Sequence, residues 1–210
     1  KDRIVVAPDG YAPEAFAHVP SREGVRKELG WKKDEVIFIY TGGLFPWKGV
    51  DRIVSWWPSE DGQSRLIIVG GSEEERKRIR ALSSSSRIEI LPPVPAWQVP
   101  RLLMAADVGV LPTHPGYDIG RLHTSPLKLF EYLAAGLPVL ASDVPTSREV
   151  VDEQLAQFFS DQPSFLRALK SLKEGFLSDE ISERAKQLAQ NYTWQQRAEK
   201  IRTLLHRVST

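Results

Sequence analysis

The stretch from Ser125 to Gly136, with the sequence SPLKLFEYLAAG, predicts a complete short helix. Ser125 stands where an N-cap residue belongs, and its hydroxyl is suited to accept a hydrogen bond from a free N–H of the first turn. Pro126 fits the first helical position, and Gly136 fits the left-handed residue just after the end. The apolar residues at helical spacing, which predict a buried stripe, are Leu127, Phe130, Leu133 and Ala134.

Short apolar segments alternate with helical segments on both sides of this stretch. The predicted strands are residues 36–40, 66–69, 88–91, 108–111, 138–141 and 157–159. Such alternation predicts right-handed crossovers and a parallel sheet covered on both faces. We therefore expect an α/β fold with a doubly wound, Rossmann-like, six-stranded parallel sheet in the order 3-2-1-4-5-6, followed by C-terminal helices.

The other segments predict helices, one long loop and one extended stretch. The helices are predicted over residues 21–29, 48–57, 72–82, 98–106, 147–151, 163–176, 179–191 and 194–207, the polar loop over 112–124, and the extended stretch over 3–7. In the expected strand order, ligands bind where the order reverses, at the carboxyl ends of strands 1 and 4. The loop after strand 1 and the loop that ends at Ser125 should therefore meet.

The composition excludes several classes of function. The 210 residues include 28 Lys and Arg and 27 Asp and Glu, so a net charge of +1 gives no general attraction for nucleic acid or for an acidic partner. The absence of cysteine excludes thiol catalysis and thiolate metal sites. No apolar run approaches the roughly 18 residues of a membrane span. The apolar run at Ile4, so close to the first residue, suggests a fragment of a longer protein.

The start of the 125–136 helix is a candidate anion site, because free N–H groups and the positive end of the helix dipole attract phosphate. We expect a diphosphate there, with Lys128 as an additional cation. Glu131 lies about 9 Å further along the helix, which suits a carboxylate that accepts from ribose hydroxyls. The alternative is that Lys128 and Glu131 form an ordinary surface pair.

Other loops carry further candidates. Lys48 follows Gly42 and Gly43 and can reach a phosphate, unless the loop is only a tight turn with a solvated lysine. Residues 92–95, Pro-Pro-Val-Pro, either wall a nucleobase or form a rigid turn. A loop as long as 112–124 is often functional. Its polar candidates are His114, Asp118, Arg121 and His123.

Together these segments resemble the C-terminal half of a group 1 glycosyltransferase, which is glycosyltransferase family 4 with the GT-B fold. The segments that carry the resemblance, in chain order, are Val6–Gly10, Tyr40–Asp51, Ala105–Pro112, Ser125–Asp143 and Tyr192–Trp194. The block at 125–136 is specific, whereas the glycine loop alone is not.

The resemblance implies a retaining enzyme with two Rossmann-like domains and an active site in the cleft between them. It implies that residues 1–20 connect to a missing N-terminal domain that holds the acceptor, that residues 21–192 bind the nucleotide sugar, and that residues 193–210 form a C-terminal helix. The implied donor is a UDP- or GDP-sugar, without a metal or other cofactor.

The resemblance also implies roles for single residues. Lys48 would contact the diphosphate and Glu131 the ribose. Both are catalytic candidates, because catalysis in this family is mainly stabilisation of the departing diphosphate. The full set of expected donor contacts is Gly42, Gly43, Lys48, Pro93, Val94, Arg121, His123, Thr124, Ser125, Pro126, Leu127, Lys128 and Glu131.

Two positions depart from the family pattern. A basic residue usually stands where this chain has Gly43, so Arg121 or Lys128 would have to supply that charge. A glutamate that meets the donor sugar usually stands at the position of His123. The identity of the sugar, and activity itself, depend on these two positions.

Three hypotheses stay open. The first is the donor-binding half of an enzyme, which binds the donor but transfers nothing alone. The second is a non-catalytic nucleotide-sugar or phosphate-binding module, and the third is an epimerase-like half, which would need an acid and a base in the crevice. We expect a cytoplasmic protein, whose missing domain supplies any membrane contact and packs against the last helix.

Overall fold

Six short strands form one parallel sheet in the computed structural model, which describes residues 4–58 and 62–209. The strands are β1 (Val36–Thr41), β2 (Ser64–Val69), β3 (Ile88–Leu91), β4 (Val108–Leu111), β5 (Val139–Ser142) and β6 (Ala156–Phe159). Their order is β3-β2-β1-β4-β5-β6, and every neighbouring pair is parallel. The predicted α/β fold and the predicted strand order are confirmed.

Helices enclose an apolar core on each face of the sheet. The described residues form α1 (Arg22–Leu29), α2 (Val50–Trp56), α3 (Glu73–Arg80), α4 (Val99–Ala105), α5 (Asp118–Leu122), α6 (Leu127–Ala134), α7 (Pro145–Arg148), α8 (Gln162–Gly175), α9 (Asp179–Ala189) and α10 (Trp194–Ser209). Ile37 and Ile39 of β1 face the core that includes α4, α6 and α9, while Phe38 and Tyr40 face the core that includes α2 and α8. One apolar strand serves both cores because alternate side chains point to opposite faces.

Several predicted boundaries differ from the observed ones. The helix predicted over 48–57 is a 3-10 turn, Pro46–Lys48, followed by α2, because Gly49 adopts a left-handed conformation between them. The predicted polar loop over 112–124 contains the short helix α5. The helix predicted over 147–151 is α7, which begins at a proline two residues earlier.

The beginning of the chain is less regular than predicted. The stretch expected to be extended over 3–7 belongs to no strand from residue 4 onward. Residues 1–3 of the predicted connecting segment and residue 210 of the predicted last helix lie outside the described residues. No helix in the described ranges is long and apolar enough to cross a membrane.

The helix predicted from Ser125 begins at Leu127, with Pro126 as its N-cap residue. The predicted cap is therefore wrong. The hydroxyl of Ser125 accepts a hydrogen bond from the backbone N–H of Asp9, at 3.2 Å, instead of one from the first turn. The predicted end is confirmed, because Gly136 has a φ of 76° and follows the last residues of the helix.

The buried face of α6 also differs from the predicted stripe. The buried residues are Leu129, Phe130, Tyr132 and Leu133. Leu127 is 43% exposed, because it stands in the first turn at the edge of a cavity. The hydroxyl of Tyr132 donates to the carbonyl of Val110 at 3.2 Å and accepts from the N–H of Thr41 at 3.4 Å. This side chain therefore fixes α6 to both β1 and β4.

Residues 9–11 lie beside the start of α10. The N–H of Tyr11 donates to the carbonyl of Tyr192 at 2.9 Å, and the N–H of Trp194 donates to the carbonyl of Tyr11 at 3.2 Å. The apolar side chains of Trp194 and Ile201 on α10 are 46% and 40% exposed. The packing of this helix against a missing domain stays a prediction.

A buried ion pair joins α1 to the start of β4. Asp107 accepts a hydrogen bond from the N–H of Ile37 at 2.7 Å and forms ion pairs with Arg26 and Arg22. Arg26 is 6% exposed, and its Nε donates to the carbonyl of Ala105 at 2.8 Å. These partners are needed because a buried charge without a partner is costly.

We expect Asp107→Ala to lower the free energy of unfolding by about 3–5 kcal/mol, because the buried charge of Arg26 loses its carboxylate. Urea unfolding, followed by circular dichroism, measures the change. Glu23→Ala is the control, since Glu23 pairs with Lys33 on the surface, where ion pairs contribute little. Equal midpoints for Asp107→Ala and the wild-type chain would contradict the prediction.

Candidate functional site

A cavity of about 150 Å³ opens at the carboxyl ends of β1 and β4. The residues that line it are Tyr40, Trp47, Lys48, Leu111, Pro112, Thr113, Gly120, Thr124, Ser125, Pro126, Leu127, Lys128 and Thr146. The strand order reverses between β1 and β4, which is the usual position of a ligand in an open α/β sheet. The predicted meeting of the two loops at this edge is confirmed.

Two lysine side chains meet in this cavity. Lys48 belongs to the turn after β1 and Lys128 to the first turn of α6, and the two amino groups are close enough for each to influence the pKa of the other. The Nζ atom of Lys48 lies 3.7 Å from the centre of the Trp47 ring, and that of Lys128 lies 5.4 Å from the centre of the Tyr40 ring. The faces of both rings attract cations, which offsets part of the repulsion between the two amines.

The pKa values of the charged groups here are shifted. Burial first, and then the nearby charge of Lys128, lower the pKa of Lys48 to about 7. Burial also lowers the pKa of Lys128, against the opposing effect of the Glu131 carboxylate. The pKa of Glu131 is raised by its own burial, against the opposing effect of Lys128. An anion bound at the two amines would favour their protonated forms.

Gly42 leaves the space that the Lys128 side chain occupies. Its φ is 129°, and a Cβ atom built on it would lie 2.6 Å from Nζ of Lys128. Both the conformation and the contact disfavour any side chain there. Gly43 has a different environment: its carbonyl accepts a hydrogen bond from the Tyr40 hydroxyl at 2.6 Å, and a Cβ atom would lie 2.9 Å from the ring of Phe45. The absence of side chains at Gly42 and Gly43 thus leaves room for Lys128 and for the ring of Phe45.

The cavity wall also includes residues that were not among the predicted contacts, such as Trp47, Thr113 and Thr146. Thr146 of α7 donates a hydrogen bond to the carbonyl of Gly120 in α5, at 2.9 Å. A Cβ atom on Gly120 would lie 2.9 Å from Thr113 and 3.2 Å from Trp47, so α5 packs closely over the cavity. Trp47 could have been predicted from the sequence, because it directly precedes Lys48. Thr146 could not, because only the folded structure brings α7 next to the cavity.

Six of the predicted donor contacts line the cavity, namely Lys48, Thr124, Ser125, Pro126, Leu127 and Lys128. Three more are adjacent to this group. Gly42 lies against Lys128, Gly43 follows it in the same loop, and the charge of Glu131 influences Lys128. The start of α6 and the loop after β1 therefore form one site.

The other predicted contacts do not line the cavity. Arg121 forms an ion pair with Asp118 on its own helix at 2.8 Å, and His123 is exposed. Pro93 is exposed, and Val94 packs against the apolar core. Among the described residues, no cluster of three His, Asp or Glu side chains is placed to hold a metal ion.

Comparison with known proteins gives a family match over most of the chain. A family model described as "Glycosyl transferases group 1" matches residues 21–194. The chain is 28% identical over 162 residues to a D-inositol 3-phosphate glycosyltransferase of Xylanimonas cellulosilytica and 31% identical over 157 residues to one of Nocardia farcinica. These alignments cover 71% and 69% of this chain but 37% and 33% of the relatives, so the chain spans about a third of their length.

Solved structures share the fold. They include sucrose-phosphate synthase from Thermosynechococcus elongatus, with a TM-score of 0.79 at 23% identity, and Anabaena HepE in complex with UDP-glucose, with a TM-score of 0.70 at 19% identity. The matches cover 97% and 95% of this chain, and 52% and 56% of those chains. The fold therefore corresponds to about half of each of these proteins.

We expect the amino group of Lys48 to titrate near pH 7, and Lys128→Met to raise the pKa of Lys48, because the variant removes the like charge but keeps the apolar stem. NMR of the lysine Cε and Hε signals measures both values. Lys77→Met, which removes an exposed lysine of α3, should leave the pKa of Lys48 unchanged. An ordinary lysine pKa for Lys48 in the wild-type chain would contradict the prediction.

Proposed function

The chain belongs to the group 1 glycosyltransferases, and we propose that it acts as the donor-binding half of a retaining enzyme of this family. The enzyme would transfer a sugar from a nucleotide diphosphate sugar to an acceptor held mainly by a second, N-terminal domain. In this proposal the chain alone binds the donor and transfers nothing. The greater length of the curated relatives supports the two-domain arrangement.

The observation that carries the proposal is the pair formed by Lys48 and Lys128. The two ammonium groups repel each other, and burial disfavours the charged form of each. A diphosphate brings negative charges to the same place, and hydrogen bonds between ammonium and phosphate are about twice as strong as neutral ones. The pair therefore favours a diphosphate over a neutral ligand.

The amide groups at the start of α6 contribute less than the sequence suggests. The N–H groups of Leu127 and Leu129 donate to the carbonyls of Ser125 and Pro126 at 3.0 and 2.8 Å, so both are already used within the chain. The proposed phosphate contacts are therefore the two lysines and the hydroxyl of Ser125. The helix dipole adds only a general attraction for the anion.

The ribose and the nucleobase of the donor would lie beyond the proposed diphosphate position. Glu131 lies nearly one turn beyond Lys128 on α6, where its carboxylate would accept from the ribose hydroxyls. The loop after β3, with Pro93 and Val94, is the proposed contact of the nucleobase. During transfer Lys48 would stabilise the charge that develops on the departing diphosphate.

Lys128 also fills the role of the basic residue that the family pattern has at the position of Gly43. Its amino group lies beside that of Lys48, so the second cation comes from α6 instead of the loop after β1. Arg121 is the weaker substitute, because Asp118 already pairs with it. UDP-glucose is the first donor to test, since HepE is solved with it.

The second candidate function is a nucleotide-sugar-binding module without catalysis. The glycine at 43 and the histidine at 123, in place of a basic residue and a glutamate, favour it. Sugar transfer by the chain together with its acceptor domain would separate the two candidates. An epimerase-like role has no observation in its favour, and the cytoplasmic location and metal-free reaction stay predictions.

We expect the 210-residue chain to bind at least one member of a calorimetric panel of UDP-, GDP- and ADP-sugars. Lys48→Ala and Glu131→Ala should each weaken that binding by about 1–3 kcal/mol, because each removes charge-assisted hydrogen bonds. Lys77→Ala is the matched control, an exposed lysine paired with Glu73. If the folded chain binds no donor, the proposal fails; if both site variants bind like the wild type, the site is misplaced.

Donor binding should weaken above neutral pH. Lys48 has a pKa of about 7 in the free chain, and a bound diphosphate raises that pKa, so binding takes up a proton. The affinity for UDP-glucose should be constant below about pH 7 and then fall toward about tenfold per pH unit as Lys48 loses its proton. Calorimetry across this range measures the decline. In the Lys48→Arg variant most of this decline with pH should disappear, because a guanidinium stays charged. A decline in this variant equal to that of the wild type would contradict the role of Lys48.

A further inference from the structure

Ser125 is connected to two residues that lie far away in the sequence. Its hydroxyl accepts a hydrogen bond from the N–H of Asp9, 116 residues earlier. The carboxylate of Asp9 forms an ion pair with Arg197 on α10. Neither Asp9 nor Arg197 lines the cavity, but Ser125 does. Arg197 contacts Asp9, and Asp9 contacts Ser125.

We propose that the ion pair between Asp9 and Arg197 is a positioning device for the Ser125 hydroxyl at the donor site. The inference rests on the proposed function, because the diphosphate of the donor is the group that this hydroxyl contacts. Arg197 holds the side chain of Asp9, and the N–H of Asp9 holds the oxygen of Ser125. The hydroxyl proton is then directed to a phosphate oxygen.

The chemistry of a hydroxyl group explains why such a device is useful. A serine hydroxyl has one proton to donate and two lone pairs that accept. The N–H of Asp9 occupies one lone pair, which fixes the oxygen and leaves the proton available. Since Ser125 does not cap α6, this hydrogen bond replaces the local one that would otherwise hold its side chain. A hydroxyl that is already ordered loses less entropy when the donor binds.

The backbone next to Asp9 is held firmly enough to serve this purpose. Tyr11 exchanges two backbone hydrogen bonds with the start of α10, one with Tyr192 and one with Trp194. A Cβ atom on Gly10 would lie 2.5 Å from the nitrogen of Trp194, so only glycine allows the two segments to approach this closely. The backbone N–H of Asp9 therefore donates to Ser125 from a segment that is held in place.

A purely structural ion pair would behave differently. The two side chains are about one-third exposed, so the pair adds little to the stability of the fold. A structural contact would leave donor affinity unchanged in any variant that stays folded. If the ion pair positions Ser125, its loss changes donor affinity, and this change occurs only when the Ser125 hydroxyl is present.

A double-mutant cycle in the 210-residue chain tests this, with the nucleotide sugar that binds best in the panel as titrant. We expect Ser125→Ala to weaken binding about 10-fold and Arg197→Ala about 3- to 10-fold. The double variant should bind no worse than Ser125→Ala alone, because Arg197 acts through Ser125. Arg197→Lys should restore most of the affinity. Arg202→Ala, which removes another ion pair of α10, should leave it unchanged.

Thermal melting followed by circular dichroism shows whether each variant is folded. Additive losses in the double variant, or wild-type affinity in a folded Arg197→Ala chain, would overturn this inference alone. A folded wild-type chain that binds no nucleotide sugar would overturn the proposed function and the inference with it. If Arg197→Ala does not fold, Asp9→Asn, which keeps the backbone N–H, takes its place with the same expectations.

Discussion

Two lysine amines held side by side at the edge of a parallel sheet are the constraint on which the site depends. Bringing like charges together is unfavourable, and burial of both amines adds to the cost. The neighbouring aromatic rings and the carboxylate of Glu131 offset part of it. Two further features hold the lysines in place. Gly42 leaves room for the side chain of Lys128, and the hydroxyl of Tyr132 bonds α6 to β1 and β4, the strands on both sides of the switch point.

The position of a cation matters more than the element that carries it. The resemblance to the family implies a basic residue in the loop after β1, and this chain has Gly43 there. The amine of Lys128 comes from α6 but lies beside Lys48, at the same edge of the sheet. A diphosphate responds to the local electrostatic potential, which depends on distance and dielectric rather than on chain position. The loss at position 43 is therefore compatible with a site that keeps two cations.

The fold could be predicted from the sequence because its signals are local. Apolar runs predict strands, Gly136 ends a helix, and the chirality of crossovers leaves few strand orders for this alternation. The start of α6 could not be predicted correctly, because the partner of Ser125 is the distant N–H of Asp9 and capping rules consider only neighbours. Topology predicts that the Lys48 loop and α6 meet, but the burial that lowers both lysine pKa values requires the packed structure.

The start of α6 is also where the two ends of the described chain converge. Asp9 arrives from the first segment and Arg197 from the last helix, and both are within two contacts of the cavity through Ser125. The glycine at position 10 makes this convergence tight, so neither segment can shift without disturbing the other. In the proposed positioning role, the ion pair with Arg197 and the hydrogen bond to Ser125 link α10 to the cavity wall through Asp9. In that proposal the geometry of the cavity depends both on the sheet edge that forms it and on the two terminal segments that reach Ser125 through Asp9.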